Sequence, residues 1–102
     1  MNESKYSKFT LNLGCGNDAW GNVRVDIRRE TTANVICDIN HLPFKECVFD
    51  IIRAWDVIEH LEKTPYETVR MLAKTLKDDG LLQIRTPSEN HKQLMIEVLN
   101  LP

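Results

Sequence analysis

The segment Leu11–Ile27, LNLGCGNDAWGNVRVDI, constrains the fold more than any other part of the chain. Phe9–Leu13 alternates like a half-buried strand and stops at Gly14-Cys15-Gly16. A second apolar run, Val23–Asp26, then ends in an acid only ten residues past Gly16. Glycines directly after a strand allow a tight turn and let a ligand approach main-chain N–H groups closely. Turns that hold a nucleotide usually lead into a helix, yet the interval between Gly16 and Val23 leaves almost no room for one.

Three further strands are expected at Val35–Asp38, Phe49–Trp55 and Leu81–Thr86. The spacing predicts two helices. Thr64–Lys77 opens with Thr-Pro and carries Val69, Leu72, Ala73 and Leu76 as its apolar stripe. Ser88–Leu101 can be capped by Ser88 and carries Leu94, Met95, Val98 and Leu99. Strands come first and mix with helices later, which reads as an α/β fold with a mainly parallel sheet of about five strands. Right-handed crossovers would put both helices on one face. The other face should then show Thr10, Asn12, Arg24, Arg53, Gln83 and Arg85, and the fifth strand should be an open edge.

A length of 102 residues suits one domain over 1–102, and 42% apolar with 27% charged residues is globular rather than disordered. A net charge of −2 gives no footprint for a phosphate backbone, so there is no nucleic-acid signal. Cys15, Cys37 and Cys47 form no Cys-x-x-Cys pair and read as free thiols of a reducing compartment. The opening MNESKYSKFT lacks an apolar signal region, and no apolar run reaches membrane-spanning length. The expectation is a cytoplasmic protein without membrane association.

Asp26 and Asp38 each end a short apolar strand, which puts both carboxylates on the carboxyl edge of the sheet, where open α/β sheets bind ligands. A carboxylate there can accept both hydroxyls of a ribose. His60 follows the fourth strand and could serve as a general base, but a histidine held at a helix start is the plainer reading. His91 reads as a solvated helix residue and His41 as a loop residue. No two histidines have metal-ligand spacing, so no metal is expected.

Together LNLGCGND, VDI, CDINHLPF, FDIIRAWDVIEHL and LKDDGLLQIRTP resemble the class I, Rossmann-like S-adenosylmethionine-dependent methyltransferases of the small-molecule type. The resemblance implies an enzyme that transfers a methyl group from S-adenosylmethionine to a small-molecule acceptor. It implies that Gly14 and Gly16 line the methionine and ribose part of the cofactor, that Asp26 binds the ribose hydroxyls, that Asp38 and Ile39 hold the adenine edge, and that Trp55 walls the site. It assigns no catalytic residue. Departures are plain: Asn12 stands where the family has an acid, the helices after the first and second strands are missing, and so are the usual C-terminal strands. The chain thus resembles a truncated or minimal form, and a cofactor-binding module that needs a partner is the alternative. A homodimer through the open sheet face or edge is expected to cover what the missing elements would. Gly14–Ala19 also fits G-x-G-x-x-A of nicotinamide-binding units, but Asp26 comes too soon for that fingerprint, which wants its acid about 20 residues on.

Overall fold

The computed structural model of the chain describes residues 8–87 and 93–100. Its strands are β1 (Thr10–Leu13), β2 (Val23–Asp26), β3 (Val35–Ile36), β4 (Phe49–Trp55), β5 (Leu76–Pro87) and β6 (Gln93–Leu99), with one α-helix, α1 (Pro65–Thr75), among the described residues. They form a six-stranded sheet in the order β3-β2-β1-β4-β5-β6. Every pairing is parallel except the last, where β6 runs antiparallel to β5.

Helix α1 forms where expected. Thr64 caps it by accepting a hydrogen bond on its hydroxyl from the Glu67 N–H at 3.2 Å, and Pro65 takes the first turn, where its missing N–H costs nothing. It buries Thr68, Leu72 and Thr75, one face at helical spacing. It stops earlier than the pattern suggested: Leu76 is already extended and begins β5. Between Leu76 and Leu81 the pairing of β5 with β4 shifts register, so Lys77–Asp79 stand exposed as a bulge.

The second expected helix, Ser88–Leu101, is corrected. Ser88 and the rest of 88–92 lie outside the described residues, and Gln93–Leu99 is a strand. The Leu94, Met95, Val98 and Leu99 stripe fits a helix, but Gln93–Leu99 is also a short apolar run with β-branched Ile96 and Val98, and periodicity cannot separate the two. The unpaired edge of β5 decides between them, because a strand placed there satisfies a row of N–H and C=O groups. The open edge expected at β5 is therefore closed by β6, from Leu81 opposite Leu99 to Pro87 opposite Gln93.

The two faces of the sheet differ completely. Leu11, Leu13, Val25, Ile52, Ala54, Leu82 and Ile84 are buried together with Leu72 of α1. The alternate residues form the other face, aligned by the pairing register: Asn12 beside Arg24 and Arg53, Arg53 beside Gln83, and Gln83 beside Glu97. There the Arg53 guanidinium lies 3.9 Å from the Trp20 ring centre and 4.4 Å from that of Trp55, and Arg85 lies 4.5 Å from Trp55. Arg53 Nε donates to Gln83 Oε1 at 3.1 Å, and Gln83 Nε2 donates to Glu97 Oε2 at 3.2 Å. Met95 and Leu99, in register with Arg85 and Leu81, stay more than half exposed on the same face, at 54% and 52%.

No helix separates β1 from β2 or β2 from β3. Hydrogen bonds hold those loops instead. Asn12, buried at 3% exposure, donates from Nδ2 to the Trp20 carbonyl at 3.0 Å. Arg24 donates from Nε to the Thr32 carbonyl at 2.7 Å and from Nη1 to the Gly21 carbonyl at 2.9 Å. Asn22 and Asn34 stitch strand starts together through Thr10 N and Arg24 N.

Candidate functional site

Parallel β1, β2 and β4 bring their carboxyl ends to one edge, and there the chain leaves a cavity of about 340 Å³. It is lined by Gly14 after β1, by Asp26, Ile27 and Arg28 at the end of β2, by Ile39, and by Asp56, Val57, His60 and Leu61 after β4. A hollow of about 420 Å³ on the outer side of α1 is larger, but Lys63, Glu67, Arg70, Met71 and Lys74 supply it from one continuous stretch and no other element converges on it.

The glycine turn is conformationally required. Gly14 has φ +63° and Gly16 φ +54°, and a Cβ on Gly14 would sit 2.6 Å from Val57 Cγ2. The absence of that Cβ lets the Val57 side chain close against the turn. Asp56 also takes a left-handed conformation, φ +58°, with its N–H donating to the Arg85 carbonyl at 2.7 Å. Its Oδ2 accepts from Arg85 Nη2 at 2.7 Å, while Oδ1 is buried with no hydrogen-bond partner among the described residues.

Asp26 is the buried acid of the site, 4% exposed. Oδ2 accepts from the Gly16 N–H at 3.0 Å, and Oδ1 accepts from the Arg28 N–H at 3.0 Å. Arg28 adds Nε to Oδ1 at 3.2 Å and Nη2 to Oδ2 at 3.4 Å. Burial pushes this carboxyl up, but the hydrogen bonds from the Arg28 side chain, the Arg28 amide and the Gly16 amide outweigh it, with the Arg28 charge, and hold it below the usual carboxylate range. Asp38 caps the 3₁₀ turn Ile39–His41 and accepts from the Asn40 N–H at 2.9 Å; that bond is the main reason its carboxyl also sits low.

Of the residues singled out from sequence, the structure brings Gly14, Asp26 and Ile39 together as cavity lining, with Gly16 bonded to Asp26. Asp38 is exposed beside Ile39 and bonded to Asn40. Trp55 is clamped between Arg53 and Arg85 and is not among the cavity-lining residues. His60 lines the cavity, His41 lies in the turn after Asp38, and His91 lies outside the described residues. Arg28, Val57 and Leu61 belong to the lining without having been candidates, and position is the only signal that could have found them: each follows within a few residues of a strand that ends at this edge.

Against known proteins, a methyltransferase-domain family model matches residues 3–99. The chain belongs to this family. No curated protein sequence matches it significantly. Among solved structures, the S-adenosylmethionine-dependent methyltransferase from Mesorhizobium loti is similar with a TM-score of 0.62 at 12% identity, covering 87% of this chain and 57% of that one. The complex of the Haloferax volcanii Trm112 methyltransferase activator with a putative methyltransferase gives 0.65 at 18%, covering 78% and 45%. The [4+2]-cyclase SpnF gives 0.64 at 15%, covering 78% and 39%. The chain thus spans about half the length of these neighbours or less in two of the three, and the likeness is one of fold. Having a cyclase among them shows that this fold hosts more than one reaction.

The cavity's donor set suits the cofactor of a methyltransferase. A buried carboxylate can take a diol, a glycine turn admits close approach, and Ile27, Ile39, Val57 and Leu61 offer apolar walls for a purine. No helix opens at the glycine turn, the feature that a dinucleotide fingerprint needs. Among the described residues, no three His, Cys, Asp or Glu side chains are gathered to hold a metal, and no helix is long and apolar enough to cross a membrane.

Proposed function

We propose that this chain binds S-adenosylmethionine in the carboxyl-edge cavity and serves methyl transfer to a small-molecule acceptor. The observation that carries the reading is Asp26, a buried, ionised carboxylate facing a cavity beside a left-handed turn in which Gly14 has no room for a Cβ. Asp26 would receive the ribose hydroxyls, Gly14 and Gly16 would face the methionine side, and Ile39 with Asp38 would hold the adenine edge. S-adenosylmethionine supplies a methyl group already activated on a positively charged sulfur. The protein's part is then to orient that carbon toward the acceptor and to exclude water, which Val57 and Leu61 support as apolar lining. An acceptor that is already nucleophilic needs no base, so none is assigned. Trp55 supports the site from behind: held by two arginines, it fixes the end of β4 from which Asp56 enters the cavity.

Titration calorimetry with S-adenosylmethionine and S-adenosylhomocysteine tests the reading. Asp26→Ala should weaken binding by roughly 1.5–3 kcal/mol for each charge-assisted hydrogen bond lost. Undiminished binding by that variant would overturn the site.

A second reading, a single domain that acts only with a partner, is favoured by one observation. The sheet face bearing Arg53, Trp55 and Arg85 has no helix over it among the described residues, and parallel sheets are rarely left bare. A second copy of the chain is the occupant we propose, with Met95 and Leu99 at its centre. Sedimentation at micromolar concentration should give a two-chain mass; a one-chain mass would exclude the dimer. The activator complex of the H. volcanii neighbour makes an unlike partner the next candidate.

A further inference from the structure

An ionised carboxylate presents about four acceptor positions, and on Asp26 all four are taken. Two are filled by backbone N–H groups of Gly16 and Arg28, which the turn and the strand end hold in place. The other two are filled by Nε and Nη2 of Arg28 at 3.2 and 3.4 Å, from a side chain that is 69% exposed. The same guanidinium lies against the glycine turn, where a Cβ on Gly16 would find Nη2 at 3.8 Å. Arg28 also lines the cavity, the one arginine or lysine among the described residues to do so.

These contacts divide into a fixed pair and a movable pair. A vicinal diol offers two O–H donors to the same two oxygens, which is the number of bonds the guanidinium supplies. We infer that Arg28 is an internal stand-in for the ligand's two hydroxyls, so that a diol binds Asp26 only by displacing this guanidinium. The inference rests on the cofactor reading above and names the residue that sets its affinity. Physical sense supports the device. Without a ligand, a buried carboxylate must be satisfied or neutralised, and Arg28 does this with bonds longer than the 2.7–2.9 Å of good charge-assisted pairs. Displacement is therefore cheap, and the freed guanidinium swings into solvent. Fixed backbone donors keep the carboxylate ionised and aimed meanwhile.

Calorimetry on the wild type, Arg28→Ala and Arg28→Gln with three probes tests this. The probes are S-adenosylhomocysteine, adenosine and 2′,3′-dideoxyadenosine, the last lacking the diol. Removing the exposed guanidinium should tighten S-adenosylhomocysteine and adenosine about two- to fivefold, the scale of an exposed ion pair. Dideoxyadenosine should bind the variants and the wild type equally. Unchanged or weaker binding of S-adenosylhomocysteine by both variants would overturn the inference and leave the cofactor site standing, as would equal tightening of dideoxyadenosine. If neither the wild type nor a variant binds S-adenosylhomocysteine, the cofactor reading itself falls and the inference with it.

Discussion

One face of the sheet is dry and the other is a stack of arginine and tryptophan, although alternate residues of the same sheet build both. On the α1 side, Leu11, Leu13, Ile52, Ala54, Leu82 and Ile84 meet Leu72 and are essentially removed from water. On the opposite side, the alternate residues Arg53, Trp55 and Arg85 stack with Trp20 from the β1–β2 loop. The difference teaches how a sheet manages with few helices. One face is stabilised by apolar burial against α1; on the other, long amphipathic side chains stack by their flat ends while their charges stay near water, and no helix of the described residues lies over them.

Two substitutions in neighbouring positions of β4 would sharpen that contrast. Ile52→Ala opens a cavity in the dry face and should cost about 2–5 kcal/mol in urea unfolding, the range for truncating a fully buried Ile. Arg53→Ala removes the guanidinium that bridges Trp20 and Trp55 and its bond to Gln83, and should cost about 1–2 kcal/mol, near the upper range for desolvated cation–π contacts. Equal costs would erase the distinction between the two faces. A loss at Arg53 indistinguishable from zero would mean that the stack is decoration on a sheet that needs another cover.

The same contrast explains what was legible beforehand. Strands β1, β2 and β4 were readable because each joins an apolar run to a residue that punctuates it: Gly14, Asp26 and the turn after Trp55. The polar face was readable too, since strict alternation puts Asn12, Arg24, Arg53 and Gln83 on one side whatever covers the other. Strand β6 was not, because Leu94, Met95, Val98 and Leu99 satisfy a helical stripe and only the bare edge of β5 converts them to a strand. In the site, pattern singled out Gly14 and Asp26 and the resemblance added Ile39; the structure shows that the three line one cavity. Arg28 was invisible for a different reason. An arginine in a polar loop, next to Arg29 and Glu30, carries no periodicity, and its role exists only once the turn folds it back onto Asp26.

The smallest expected effect concerns pH, and it separates the cavity edge from the dry face, whose buried members Leu11, Leu13, Ile52, Ala54, Leu82 and Ile84 do not titrate at all. Asp26 is held below its ordinary range in the folded chain, burial being outweighed by bonds from Arg28 and Gly16. The unfolded chain holds the same carboxyl near the usual value of about 3.9. A folded value below the unfolded one means that the unfolded state binds protons first as pH falls. Asp26 therefore contributes stability that is fully present above about pH 5, where both states are ionised, and that is lost as pH drops through the folded value. Asp26→Asn abolishes this titration while keeping the size of the side chain. Urea unfolding of both proteins should show a wild-type advantage that is flat from about pH 7 to 5 and shrinks below about pH 4. Asp38→Asn should change the acid limb less: Asp38 is exposed and its main bond, from the Asn40 amide, lies within its own turn. An Asp26→Asn difference that grew as pH fell would reverse the sign argued here, and would mean that burial, rather than Arg28 and the glycine turn, governs this carboxylate.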